Sequence, residues 1–367
     1  MRLSIPQPQL LKTLQVVERA VNDRSTLPIL TNVLLETTER ELTLTATDLD
    51  VGIQCRFPLI PPVEQGAVAL PARKLTTIVR ELPAEQITLE AKKNHTAALS
   101  CGTSYFRIPG LPAEDFPTLP PTESPEQTLV SQGALKTLIT MTAHAMSMEE
   151  TRFILNGALL TTQKDTLVMV ATDGRRLATA QTPATAQGKS PPNVIIPSKT
   201  IRELGRLLDG SSEDEVTIAP LKDNQLTFRF GQVTIITRLV EGQFPQYEKV
   251  IPSAAKQRLV CARQPLIDAI RRASLMTTAA SQAVLFEVGS IQLVVSKESA
   301  EVGSAREELP VSYSGEPVTV AFNPEFWLDA LKVLPQDEVH IELTGPDRPA
   351  VIRLPEFTYL VLPMKVA

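Results

Sequence analysis

The sequence predicts an α+β protein in which one module, two helices packed on antiparallel sheet, occurs three times. Three observations predict it. The segment Leu70-Pro-Ala-Arg-Lys-Leu-Thr-Thr-Ile-Val-Arg-Glu-Leu82 returns as Ile196-Pro-Ser-Lys-Thr-Ile-Arg-Glu-Leu-Gly-Arg-Leu-Leu208 and again as Phe322-Asn-Pro-Glu-Phe-Trp-Leu-Asp-Ala-Leu-Lys-Val-Leu334, each time 126 residues on. Ala46-Thr-Asp48 returns as Ala171-Thr-Asp173 and Asn32-Val-Leu-Leu-Glu-Thr37 as Asn156-Gly-Ala-Leu-Leu-Thr161, at offsets of 125 and 124, with a degraded third copy of the first at Val295-Ser-Lys297. Alternating apolar and polar runs flank these segments, which is the period of strands. Three copies of about 122 residues nearly exhaust the 367-residue chain.

Each copy opens with a short strand leading into an amphipathic helix. Leu10, Leu14, Val17 and Val21 recur at helical spacing in the first, Leu135, Leu138, Ile139 and Met146 in the second, and Leu266, Ile270 and Ala273 in the third. Strands follow, as in Leu42–Thr47, Leu226–Phe230 and Val339–Leu343, and the repeated segment supplies a second helix. Proline-rich stretches, Pro117–Pro125 and a looser one around Ile251–Lys256, separate the copies and set domains at 1–122, 123–253 and 254–367.

Composition excludes several classes. Hydrophobic residues make up 43% and charged residues 21%, the mix of a folding chain. A net charge of −5 excludes wholesale basic character, though not a local basic surface. Cys55, Cys101 and Cys261 fit neither a disulfide framework nor paired zinc ligands, so a reducing cytosol is expected. The start of the chain lacks an apolar signal core, and no apolar run approaches membrane-spanning length. His95, His144 and His340 have no metal-ligand spacing, and no cofactor is expected. Gly188-Lys189-Ser190 ends like a phosphate-binding loop, but Pro183 stands where its first glycine belongs. Asp48 and Asp173 read as strand-end turn residues rather than a catalytic pair.

On the second helix of each copy, an apolar stripe (Leu75, Ile78, Val79 and Leu82; Ile201, Leu204 and Leu208) opposes basic residues. These are Arg73 and Arg80 in the first copy, Lys199 and Arg206 with Arg202 between them in the second, and Lys332 in the third, where Glu325 and Asp329 dilute the pattern. A solvated face is the ordinary explanation for one such helix. A basic residue at one position in all three copies of an acidic protein points instead to a polyanion, with Lys12, Lys136 and Arg24 adding to it.

With the repeats and Thr172-Asp-Gly-Arg-Arg-Leu177 in view, the sequence resembles the bacterial DNA sliding clamps, the beta subunits of DNA polymerase III. The specific marks are Leu27-Pro-Ile-Leu30, Arg152-Phe-Ile-Leu-Asn-Gly157, Ala171-Thr-Asp-Gly174, Phe244-Pro245 and Leu362-Pro-Met-Lys365. The resemblance implies clamp domains, three per chain, forming half of a closed ring: a head-to-tail homodimer, cytoplasmic and nucleoid-associated, with helices facing a central hole and sheets on the rim. Such a ring would encircle duplex DNA and slide on it through weak, sequence-blind phosphate contacts. It implies a non-catalytic processivity factor that tethers the replicative polymerase, the clamp loader and other proteins carrying short clamp-binding peptides.

The resemblance also implies site residues. Leu155, Thr172, Gly174, Arg175, Arg176, Leu177, Pro245, Val250, Val361 and Leu362 match the deeper part of a peptide groove between the second and third domains. Arg152, Asn323, Phe326, Pro363, Met364 and Lys365 match its rim and approach. For the subunit contact it matches the strand Tyr105-Phe106-Arg107-Ile108, with Lys74 nearby, to an opposing side of Leu275, Met276, Glu298, Glu301, Glu307 and Glu308. Ser281-Gln-Ala-Val284 and Gly303-Ser-Ala-Arg306 depart from the usual family pattern. The alternative class is an enzyme of repeated α+β domains, such as a transferase gathering an anionic substrate with the same basic residues. It would need glycine-rich anion loops and adjacent carboxylates, which the sequence lacks.

Overall fold

A computed structural model describes residues 1–22, 25–60, 63–187, 193–255 and 257–365. Arg24 and the Gly188-Lys189-Ser190 loop lie outside the described residues. Six α-helices are described: α1 (Gln7–Val17), α2 (Ala72–Glu81), α3 (Gln132–Thr142), α4 (Ser198–Leu207), α5 (Arg263–Ser274) and α6 (Pro324–Val333). Four antiparallel sheets carry the strands, two of four strands and two of nine. No described helix is long and apolar enough to cross a membrane.

The chain divides into two compact units, one of residues 1–133, 185–191 and 206–239, the other of residues 134–184, 192–205 and 240–367. In the first, a four-stranded sheet ends at Ser104–Pro109, and a nine-stranded sheet joins strands of the first and second repeats. The seam is the pairing of Val51–Pro58 with Val233–Arg238, in the register Val51↔Thr237 to Cys55↔Val233. The second unit repeats the plan. Its nine-stranded sheet joins the second and third repeats where Arg176–Pro183 pairs with Phe357–Val361, in the register Arg176↔Val361 to Ala180↔Phe357. Its four-stranded sheet ends at Gly303–Pro310. Two repeats thus merge into one sheet at each seam, which is why three sequence copies give two compact bodies.

The helices bury the stripes that predict them. Leu75, Val79, Ile201, Leu204, Leu266, Ile270 and Ala273 are fully enclosed, while Arg73, Arg80, Arg202, Arg206 and Lys332 are exposed and Lys136 and Lys199 are half-buried. Two first-helix assignments need correction. α1 ends at Val17 and passes through a single 3-10 turn to an extended Val21, and α3 ends at Thr142, so Val21 and the buried Met146 stand beyond their helices. In the third repeat, Phe286, Phe322 and Trp327 close the core as a trio of rings with centroids 5.3–5.5 Å apart. All three cysteines are buried free thiols, and burial pushes those of Cys55 and Cys261 up to about 12. That suits structural rather than reactive roles.

Because the Phe286 ring packs on both partners of the trio, Phe286→Ala leaves a cavity that they cannot refill. We expect a loss of about 3–5 kcal/mol, measured by chemical denaturation of the full chain.

Candidate functional site

The Thr-Asp pair that marks the repeat builds one turn twice. In the first copy, Thr47 Oγ1 donates to the Val51 carbonyl at 3.1 Å, and Asp48 Oδ1 accepts from the Asp50 and Val51 amides at 3.1 and 2.8 Å. In the second, Thr172 Oγ1 donates to the Arg176 carbonyl at 2.6 Å, and Asp173 Oδ1 accepts from the Arg175 and Arg176 amides at 2.9 and 3.0 Å. Both aspartates are therefore turn residues. The next residue is left-handed in both, Leu49 at φ 79° and Gly174 at φ 85°; only the second copy uses the residue that takes this conformation without cost.

The second turn delivers Arg176 into a largely enclosed network. Its Nε lies 3.0 Å from Asp173 Oδ2, its Nη1 lies 2.9 Å from Asp329 Oδ2 on α6, and its guanidinium sits 4.4 Å above the Phe326 ring. Burial opposes the charge. The hydrogen bond to Asp329, helped by Tyr359 and Asp173, outweighs it and holds the guanidinium above its ordinary pKa. Tyr359 donates to the Phe326 carbonyl at 2.7 Å and packs against His144, ring centroids 5.4 Å apart. Burial, with the Arg176 charge beside it, lowers the His144 pKa to about 4.

Around this network the expected groove residues come together within one unit. Leu177 belongs to an apolar cluster with Phe244, Tyr247 and Leu360, on which the half-buried Leu155 and Ile251 pack. Pro245, Val250 and Leu362 are exposed nearby in the chain, whereas Val361 is wholly enclosed. The C-terminal segment is tied in by backbone hydrogen bonds from Leu362 to the Arg175 carbonyl at 2.9 Å and from Met364 to the Ala321 carbonyl at 2.8 Å. At the rim, Arg152 donates to the Asp173 carbonyl at 2.9 Å and pairs with Glu149 at 3.0 Å. The Asn323 side chain is occupied in capping α6 through the Glu325 amide. The turn at Thr172–Arg176 thus adjoins an apolar cluster through Leu177, and the segments tied to it by hydrogen bonds carry exposed Arg152, Arg175 and Lys365 and half-buried Pro363 and Met364. Such a surface can bury an aliphatic or aromatic anchor while offering donors to a peptide backbone.

Two sheet edges, Ser104–Pro109 and Gly303–Pro310, hold or adjoin residues expected at a subunit contact. On Ser104–Pro109, Tyr105, Phe106 and Arg107 are exposed and Ile108 turns into the core. Lys74 on α2 is exposed. On the opposing side, Leu275, Glu298, Glu301 and Glu308 are exposed and Met276 lies beside the edge strand at Gly303. Glu307 is bidentate to Arg272 at 2.6 and 2.9 Å, and Glu308 is engaged by Arg306 and Gln292. These two acids already have partners within their own chain.

Three family models cover the chain in order: the DNA polymerase III beta subunit N-terminal domain over residues 1–120, its central domain over 129–246 and its C-terminal domain over 248–365. The chain belongs to the DNA polymerase III beta subunit family. It is 34% identical to the Pseudomonas putida beta sliding clamp and 33% identical to that of Escherichia coli K12, over the full length of each chain. Among solved structures, it superposes on a Pseudomonas aeruginosa sliding clamp bound to griselimycin with a TM-score of 0.94 at 33% identity, both chains covered completely. A Bacillus subtilis clamp gives 0.93 at 29% identity, also with full coverage. The family is a non-catalytic polymerase processivity subunit, which sets the transferase alternative aside.

The expectations for this beta subunit family missed Asp329, Tyr359 and His144, which surround Arg176, and Phe153, an exposed aromatic next to Arg152. Asp329 stood out in the sequence only as an unwelcome charge on a basic helix, because its partner is 153 residues away. Phe153 had a signal within Arg152-Phe-Ile-Leu-Asn-Gly157, where a large apolar side chain follows the rim arginine.

With a folded pKa near 4 against an ordinary 6.5, His144 binds its proton less readily in the native state, so stability falls as pH drops through this window and levels off below it. We expect His144→Gln to remove roughly 3 kcal/mol of that acid dependence, measured by denaturation between pH 7 and 4.

Proposed function

We propose that two copies of this chain close head to tail into a ring around duplex DNA, and that the ring tethers its partners through the groove around Arg176. The chain serves as a processivity factor for DNA polymerase III and carries out no reaction itself. What carries the ring is the pattern of sheet edges. Val51–Pro58 and Arg176–Pro183, equivalent strands of repeats one and two, each pair with the last strand of the next repeat. Among the described residues their counterpart in repeat three, Gly303–Pro310, has no outer partner, and neither does Ser104–Pro109, the last strand of repeat one. Joining those two edges between copies completes the series with the same kind of pairing and covers Tyr105 and Phe106.

In this reading, clamp domains span 1–122, 123–253 and 254–367. Arg73, Arg80, Lys136, Lys199, Arg202, Arg206 and Lys332 meet the DNA phosphates, together with Arg24. The exposure of five of them on helix faces opposite the core supports this assignment. The groove residues, Arg152, Leu155, Thr172, Gly174, Arg175, Arg176, Leu177, Pro245, Val250, Asn323, Phe326, Val361, Leu362, Pro363, Met364 and Lys365, receive short peptides from the replicative polymerase, the clamp loader and other DNA-handling proteins. The similarity to a clamp solved with griselimycin supports a ligand groove. A cytoplasmic protein associated with the nucleoid follows from that role.

Two measurements test the reading. Arg80→Glu combined with Arg206→Glu reverses two cationic positions and should cut retention on nicked circular DNA about tenfold or more; unchanged retention would refute the DNA assignment. Deleting the chain from Met364 onward should abolish binding of polymerase or clamp-loader peptides while the dimer, followed by sedimentation, persists. Full peptide affinity in that truncation would refute the groove.

A further inference from the structure

Away from the groove, an open pocket of about 750 Å³ lies at one end of the first nine-stranded sheet. Arg40, Arg56 and Arg229 line it, with Glu41 and Glu215. The arginines come from three elements: the turn before Glu41–Thr47, the strand Val51–Pro58 and the strand Gln225–Phe230. Among the described residues none of the three guanidinium groups has an ion-pair partner, although both carboxylates share the pocket. The lining carries three guanidinium groups against two carboxylates, a local positive excess in a chain whose net charge is −5.

The site is also partly organised in advance. Arg56 donates Nε to Gln54 Oε1 at 2.9 Å, and Gln54 in turn donates to Thr45 Oγ1 at 3.2 Å, which leaves the terminal nitrogens of Arg56 for a ligand. Arg229 Nε is shut off from solvent without an acceptor, whereas its terminal nitrogens are not, so an oxyanion meets this side chain at Nη1 or Nη2. Register places Arg229 opposite Thr234, and Thr234 opposite Gln54, two residues before Arg56. Two strand spacings, about 10 Å, therefore separate the strands that bear Arg229 and Arg56.

We propose that this pocket binds an acidic peptide segment of a protein partner. Separate carboxylates on an extended peptide, about 7 Å apart at alternate residues, lie within the combined reach of the long Arg56 and Arg229 side chains, and Arg40 extends the line. Glu41 and Glu215 oppose a continuous polyanion such as a phosphate backbone. A peptide interleaves amide N–H donors with its carboxylates and so satisfies both signs. The site lies outside the groove and needs none of its residues.

Fluorescence anisotropy on the full-length protein at low salt tests this, with a fluorescein-labelled ten-residue peptide of alternating Glu and Ser as probe and a Lys and Ser peptide as control. We expect saturable binding of the acidic probe alone, weakened at least tenfold by Arg56→Gln with Arg229→Gln and unaffected by truncation at Met364. Arg40→Gln, at an exposed turn, provides a second variant with a smaller loss should the double variant fold poorly by circular dichroism. Absence of saturable binding to the intact protein, equal affinity in the arginine variants, or loss of binding only on truncation would each overturn the proposal. Displacement of the probe by a duplex oligonucleotide, with the same dependence on Arg56 and Arg229, would overturn it in favour of nucleic acid.

Discussion

Backbone hydrogen bonding at strand edges is the constraint on which the rest of this molecule depends. A strand that ends a sheet exposes a row of amide and carbonyl groups that must be paired, covered or wetted. Among its edges, each repeat here has one pair that serves as a joint, and the chain uses these to link consecutive repeats edge to edge. The joint is conserved down to single bonds: the Arg238 amide donates to the Asp50 carbonyl at one seam, and the Leu362 amide donates to the Arg175 carbonyl at the other, both at 2.9 Å. A linear series of three repeats joined in this way always leaves one edge of each type over. The unpaired edges, and the exposed aromatics on one of them, are thus a consequence of the repeat and not an accident of composition.

Much of this was legible in the sequence because helices and turns are local. The stripes through Leu75 and Val79 or Ile201 and Leu204 follow from spacing alone, and so do the turns at Asp48 and Asp173. Helix ends were less legible. Val21 and Met146 keep the apolar period, yet α1 and α3 give way to 3-10 turns before reaching them. The seams carry no sequence signal, since Val51–Pro58 and Val233–Arg238 are ordinary strands whose pairing is settled only by the assembled sheet. The site divides in the same way. Thr172 through Leu177 form a contiguous motif, whereas Asp329 reaches Arg176 only through the packing of α6.

Charge follows a comparable division. The chain is acidic as a whole, yet Arg73, Arg80, Arg202, Arg206 and Lys332 stand exposed on helix faces opposite the apolar stripes. An amphipathic helix needs only some polar outer face, so its core is indifferent to the sign of the charge there. That freedom allows one face to be basic at no cost to folding, while acids elsewhere keep the net charge negative and oppose adventitious binding of nucleic acid. Asp329 is the instructive exception: on the most diluted of the three basic helices, its charge is committed to Arg176.

That commitment explains why two equivalent turns differ in use. The turn after Thr47 and the turn after Thr172 share hydrogen bonds, register and a left-handed residue, so their backbones are interchangeable. Where the first copy has Asp50 and Val51, the second has Arg175 and Arg176. Val51 disappears into the core, whereas Arg176 cannot be buried unless its charge is met. Asp173 meets half of it from within the turn, and α6 supplies the rest through Asp329 and the Phe326 ring. Satisfying that one guanidinium draws the third repeat's helix to the second repeat's turn and sets Phe326 beneath it. A duplicated turn thus acquires a second role in the packing, holding α6 against the second repeat through Arg176, with its hydrogen bonds unchanged.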